Sequence, residues 1–222
     1  GGTGAAPTAY WSANPVGAGP APPLLGGGDI MTHPSTPQKA FTMTRKPIRL
    51  RYFDYRRTGM YFVTICSYQR KPTFGTVGDD HMSLSNLGQL VVTRWEEIPK
   101  HTPVVDLDQF VVMPNHVHGL IGVNAPGIHS DSARRPGELR SGSVGAIVGG
   151  FKASVTRIGR ARGIVGTEPV WQRGFWEHIV RGSEALDRIR RYIAENPSRW
   201  NCDAENPHRR GDDPFDDWIC NQ

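Results

Sequence analysis

Apolar residues recur with two different periods along this chain, and the switches between them mark out its elements. Gly59-Met-Tyr-Phe-Val-Thr-Ile-Cys66 is dense in β-branched and aromatic residues and is expected to be a strand. Leu87, Leu90, Val91, Trp95 and Ile98 fall at helical spacing behind Ser83 or Ser85 as N-cap, and Pro99 is expected to stop that helix. Two apolar runs, Phe110-Val-Val-Met113 and Gly119-Leu-Ile-Gly-Val123, flank Pro114-Asn115, which predicts a hairpin beginning near residue 108 and ending at 123. Residues 124–142 are rich in Gly, Pro, Ser and Arg and read as a loop. A second helix is expected over residues 144–162, with Val144, Ile147, Val148, Phe151, Val155 and Ile158 as its apolar face and Gly149-Gly150 as a weak point. Residues 169–180 read as a strand interrupted near Gly174. Ser183 is expected to cap a third helix over residues 184–196, with Leu186, Ile189 and Ile193 facing the core and Pro197 ending it. After Trp200 the chain is polar and Asp-rich, with no clear element.

The order strand, helix, two hairpin strands, helix, strand, helix is that of an α+β, ferredoxin-like split βαβ fold with a central antiparallel sheet and one additional helix. In such a sheet the hairpin strands are expected to be central, which would give side chains on them a rigid platform.

Composition divides the chain into three. Residues 1–42 are rich in Gly, Ala, Pro, Ser and Thr, hold one Lys and one Asp, and lack apolar periodicity, so they are expected to be a disordered leader. Position 1 is not Met, and Met31 and Met43 are both plausible starts. Residues 43–200 suit one domain with its own core, and residues 201–222 form an acidic tail. There is no basic segment followed by an unbroken apolar core, as a secretory signal requires, and no apolar run long enough to span a membrane. Three cysteines without metal-knuckle spacing suit a reducing, cytoplasmic setting.

Charge is uneven. Residues 43–71 carry eight Lys or Arg against Asp54 alone, a balance of +7, interleaved with Tyr52, Tyr55, Tyr61 and Tyr68. Residues 143–199 carry ten against five, a balance of +5, and residues 200–222 reverse the sign to −4, with two Arg against six acids. Basic stretches with aromatic residues among them suit a phosphate backbone with bases to stack on, as they also suit an ordinary solvated surface.

The candidate chemistry begins in Met113-Pro-Asn-His-Val-His118. On a strand, His116 and His118 share a face with Val117 opposite, so both imidazoles can grip one divalent cation. The string alone is weak evidence, because 8 His in 222 residues yield a chance His-x-His in about one chain in three or four. Tyr192 and Asn196 lie one helical turn apart, so they can share a site. Two imidazoles and the Asn196 amide oxygen make three protein ligands, and Tyr192 can attack a phosphate whose charge the cation neutralises. Taken alone, the same residues can also be satisfied core histidines, a boundary aromatic and a helix-ending Asn.

Pro114-Asn-His-Val-His-Gly119 resembles the His-hydrophobe-His motif of single-tyrosine HUH transposases, and Tyr192-Ile-Ala-Glu-Asn196 followed by Pro-Ser-Arg-Trp200 resembles the tyrosine helix of their REP-associated branch. Arg49-Leu-Arg-Tyr-Phe-Asp-Tyr55, Tyr61-Phe-Val-Thr-Ile-Cys66, Gly145-Ala-Ile-Val-Gly-Gly-Phe-Lys152 and Val170-Trp-Gln-Arg173 also match, in order, over about residues 45–200. The resemblance implies an HUH endonuclease fold that binds imperfect DNA hairpins in repetitive elements and nicks the adjoining single strand. It implies Mg²⁺ or Mn²⁺ held by His116 and His118 with Asn196 as third ligand, where related transposases carry Gln. Tyr192 would form a 5′-phosphotyrosine link and release a 3′-hydroxyl.

Within that reading Arg45, Lys46, Arg49 and Arg51 are expected to grip the hairpin or its foot, and Lys152 and Arg157 to line the duplex. Arg188, one turn before Tyr192, is placed to lower the phenol pKa or hold the scissile phosphate, or is a solvated helix charge. His101 and His178 are expected to be structural or surface residues. The partner is then hairpin-containing single-stranded DNA, handled by a monomer or homodimer near the nucleoid, with no membrane. One alternative is a domesticated hairpin-DNA-binding protein with little or no transposition activity. Another is a His-x-His metallohydrolase of small molecules, for which the core is short.

Overall fold

In the computed structural model the described residues are 58–124 and 142–222. Four strands form the main antiparallel sheet: β1 (Gly59–Cys66), β4 (Val105–Val112), β5 (His116–Val123) and β6 (Trp176–Val180), in the order β4-β5-β1-β6. With α1 (Asn86–Glu96) between β1 and β4 and α3 (Val144–Ala161) between β5 and β6, this is the split βαβ order expected from the sequence. One expectation needs correction. Only the second hairpin strand, β5, is central; β4 is an edge, because β1 pairs with β5 on one side and β6 on the other.

Strand alternation sends side chains to two separate cores. Tyr61, Val63 and Ile65 of β1 and Val117 and Ile121 of β5 meet α1 and α3 through Trp95, Val148 and Phe151. Phe62 and Leu120 face the other way, onto Ile189, Tyr192 and Ile193 of α4 (Ser183–Glu195). Gly119 belongs to the first face, where a Cβ would stand 2.3 Å from Trp95 Cζ2. Glycine is therefore what lets the buried indole lie against β5.

Local chemistry explains most element ends. Ser85 Oγ accepts from Gly88 N at 3.1 Å and caps α1. Ser143 caps α3 in the same way, accepting from Ala146 N at 3.2 Å. Pro99 does more than stop α1, because it sits in the first turn of the short α2 (Ile98–His101), where its missing N–H costs nothing. Ser183 is not the α4 cap; Gly182 holds that place at φ 82° without a side-chain bond. Gly174, at φ 74°, separates β6 from Trp171, which makes only an isolated bridge to Ser67.

Two features were not expected. Residues 75–84 form a small hairpin of β2 (Gly75–Gly78) and β3 (His81–Leu84), turned by Asp79 and Asp80 at φ 49° and 61°. The polar tail also folds. A 3₁₀ turn, Trp200–Cys202, leads to α5 (Pro214–Cys220), whose Phe215 and Ile219 enter the α4 core. Asp213 caps α5 through Phe215 N at 2.8 Å, and Pro214 opens it.

Candidate active site

The His116 and His118 side chains project from β5 toward α4, and both rings are buried. Their centroids stand 4.3 Å apart. The turn before them is closed by Met113 N donating to His116 O at 2.8 Å, with Pro114 O and Asn115 O accepting from Phe74 N and Ser67 N. Tyr192, 2 % exposed, comes from α4 and Asn196 stands at its C-cap. Tyr192 Oη lies 3.3 Å from His118 Nε2. The two sequence-predicted pairs therefore meet in one place.

A residue absent from the sequence expectations stands at their centre. Asp203, 1 % exposed, accepts from Tyr192 Oη at 3.2 Å and from Asn196 Nδ2 at 2.8 Å. Its Oδ2 is 3.8 Å from His116 Nε2 and 3.7 Å from His118 Nε2. Burial alone would raise the Asp203 pKa, but the two imidazoles and the Asn196 amide outweigh it and hold the carboxyl well below the usual range. His116, His118 and Asp203 present ligand atoms within 4.8 Å of one another, a buried group suited to a metal ion. Asn196 Oδ1 is buried and has no hydrogen-bond partner among the described residues, an arrangement a cation would relieve.

Sequence reasoning missed Asp203 because it is one of six acids in the tail, and only the 3₁₀ turn after Pro197 brings it back to α4. The turn is pinned hard. Glu205 N donates to Asp203 Oδ1 at 2.6 Å, Glu205 pairs with Arg70 at 2.9 Å, and Asn115 Nδ2 donates to Glu205 O at 2.8 Å.

The basic residues divide differently from expectation. Arg45, Lys46, Arg49 and Arg51 lie outside the described residues. Lys152 and Arg157 belong to α3, across the sheet from the histidines. There Lys152 Nζ donates to Gln172 O at 2.6 Å and Gly174 O at 2.8 Å, and burial lowers its pKa. Arg157 lines a groove with Thr156, Arg160 and Trp171. Arg188 does border the cleft beside Tyr192, about 580 Å³ in volume, but its guanidinium rests 4.5 Å above the Trp218 ring. Arg199 is the cation over the Tyr192 ring, at 6.0 Å, and pairs with Asp213 at 2.5 Å. His178 stacks on Trp176 and is not part of the buried group formed by His116, His118 and Asp203.

No family model matches the chain. An uncharacterized protein of Haemophilus influenzae is 38 % identical over 167 residues, covering 72 % of this chain and 91 % of the relative. The two proteins belong to one family. Among solved structures, a REP-associated tyrosine transposase bound to a REP hairpin is 18 % identical, covering 67 % of this chain and 73 % of that one at a TM-score of 0.46. A putative transposase from Deinococcus radiodurans is 14 % identical, covering 65 % and 93 % at a TM-score of 0.39. Among the described residues no helix is long and apolar enough to cross a membrane.

Proposed function

We propose that this protein is a metal-dependent single-strand DNA transposase and nickase of the HUH type, acting beside DNA hairpins. The observation that carries this is the meeting of a phenol with a buried ligand set: Tyr192 Oη, both imidazoles and Asp203 within hydrogen-bond or ion-pair reach. His116 Nε2, His118 Nε2 and a carboxylate oxygen of Asp203 would hold Mg²⁺ or Mn²⁺, with Asn196 Oδ1 as a further donor. Imidazole favours Mn²⁺ in affinity, while carboxylate and amide oxygens suit both ions. When bound, the ion would neutralise charge on the scissile phosphate and make phosphorus more electrophilic.

The chain's own residues do the rest. Tyr192 Oη attacks the phosphodiester in line; the Tyr–O–P bond forms, the bond to the 3′-oxygen breaks, and the strand leaves with a 3′-hydroxyl. Before attack the phenol O–H donates to Asp203 Oδ2, the two oxygens 3.2 Å apart. The phenol gives up one proton as the Tyr–O–P bond forms and the departing 3′-oxygen takes one up, so the step is proton-neutral. Rejoining reverses the step, so no nucleotide cofactor is needed. Arg188 and Arg199 border the cleft through which a strand would approach. Arg157 and the basic segment before β1 would bind the hairpin, within a cytoplasmic, nucleoid-associated setting, as monomer or homodimer.

The burial of Tyr192 favours a second reading, a hairpin-DNA-binding protein with little transposition. Incubation with a labelled hairpin-flanked single strand and Mn²⁺ separates the two. A covalent protein–DNA adduct supports the transposase, and binding without adduct supports the binder.

A further inference from the structure

Asn115 looks like a turn residue in the sequence, yet its side chain is 1 % exposed and every polar atom on it is committed. Its Nδ2 donates to Arg70 O at 3.2 Å and to Glu205 O at 2.8 Å. Backbone carbonyls only accept, so that end of the amide must be the NH₂ group. Oδ1 then faces His116 Nδ1 at 2.9 Å, and because an amide oxygen only accepts, Nδ1 must be the donor.

We propose that Asn115 is a positioning residue that fixes the His116 proton on Nδ1 and so leaves Nε2 as the ligating nitrogen. This rests on the metal-centre reading above and deepens it. The Nε2 so prepared is the atom 3.8 Å from Asp203 Oδ2. The same amide holds Glu205 O, and the Glu205 N–H holds Asp203 Oδ1, so two of the ligating side chains hang from one residue. Thr64 offers His118 only half of this. Its Oγ1 lies 2.9 Å from Nδ1, but a hydroxyl both donates and accepts, so it orients the ring without dictating the tautomer. Outer partners of this kind set ring orientation and ligand basicity in metal sites.

The test uses the full chain, Mn²⁺ alone as probe, and two variants. Asn115→Leu removes both functions of the amide; Asn115→Asp keeps an oxygen toward His116 and removes the NH₂ donors. Imidazole ¹⁵N shifts in the metal-free protein, at a pH where the rings are neutral, report the tautomer, and Mn²⁺ titration followed by electron paramagnetic resonance reports affinity. In the parent protein His116 should carry its proton on Nδ1. Asn115→Leu should lose that preference and bind Mn²⁺ roughly tenfold to hundredfold more weakly, whereas Asn115→Asp, which keeps the oxygen toward His116 but loses the hold on Glu205 O, should keep the tautomer and lose only part of that affinity. Parental tautomer and affinity in Asn115→Leu would overturn the proposal. So would equal weakening in Asn115→Asp with the tautomer unchanged, since Asn115 would then act only through the Glu205 turn. If Asn115→Leu does not fold, a parental His116 protonated on Nε2 overturns the proposal just as directly. A parent that binds no Mn²⁺ overturns the metal centre itself, an outcome distinct from the others.

Discussion

The Phe215 ring lies flat on the Tyr192 ring, with centroids 3.7 Å apart and planes 7° apart. The proposed nucleophile is thus covered by α5, the element that folds from the acidic tail. Tyr192 is 2 % exposed, so under the proposed mechanism a scissile phosphate would reach it by displacing part of this cover. Phe215→Ala should raise the rate of covalent adduct formation on a hairpin-flanked strand and lower stability by roughly 3 kcal/mol, the usual range for deleting a buried ring. Adduct kinetics and urea unfolding check the two effects separately. An unchanged adduct rate in a destabilised variant would mean that the cover does not limit access.

Asp203 is expected to contribute charge as well as shape. Asp203→Asn retains the side-chain outline but removes the anion facing two imidazoles, and should weaken Mn²⁺ binding by about tenfold or more. Isothermal titration with Mn²⁺ measures it. Equal affinity in parent and variant would leave His116, His118 and Asn196 as the ligands and remove Asp203 from the set.

Gly119 follows the histidines for a reason of packing. A Cβ there would meet Trp95 Cζ2 at 2.3 Å and Cη2 at 2.7 Å, both on a ring with no freedom to move in a filled core. Gly119→Ala should cost about 1–3 kcal/mol through overpacking. Thermal unfolding at pH 7 tests it, and an unchanged melting temperature would contradict the contact.

Arg190 clamps Asp108 through Nε at 3.1 and 3.2 Å and Nη2 at 2.6 Å, tying α4 to the bulged part of β4. The Arg190 hydrogen bonds hold the Asp108 carboxyl below its ordinary range. A depressed carboxylate pKa adds stability that is present above the unfolded value, near 3.8, and lost as pH falls through the folded value. The pair is partly exposed, so Arg190→Ala should cost only about 0.5–1 kcal/mol at pH 7. The difference from the parent should shrink toward zero as acid protonates Asp108. Urea titrations at pH 7 and in acid read this out, and a pH-independent difference would assign the loss to packing instead.

Much of this fold was legible because its apolar periods are long and clean. Tyr61, Val63 and Ile65 of β1 face one core and Met60 and Phe62 the other, and the α3 stripe from Val144 to Val155 lies buried as its spacing implies. Strand and helix periodicity put His116 with His118, and Tyr192 with Asn196, each pair on one face of its element. That the two pairs share a site is an expectation from their chemistry and the family resemblance, which no period encodes. Asp203 was not legible, since its role depends on how the chain turns after Pro197, which no local pattern encodes. The α5 signal was present but short: Phe215, Trp218 and Ile219 at helical spacing behind Asp213-Pro214, hidden among acids. Asn115 was read as a turn residue because the sequence cannot reveal what its amide would meet.

The central claim is that Tyr192 attacks a DNA phosphate at a metal-loaded His116/His118 centre. The most direct measurement is mass spectrometry of the protein after incubation with Mn²⁺ and a hairpin-flanked single strand, compared with Tyr192→Phe. The account predicts a 5′-phosphotyrosine adduct on the peptide containing Tyr192, absent in the variant and absent with chelator, while hairpin binding persists in both proteins. Cleavage by Tyr192→Phe at the parental rate, or strand cleavage without any adduct on Tyr192, would contradict it and make water or another residue the nucleophile.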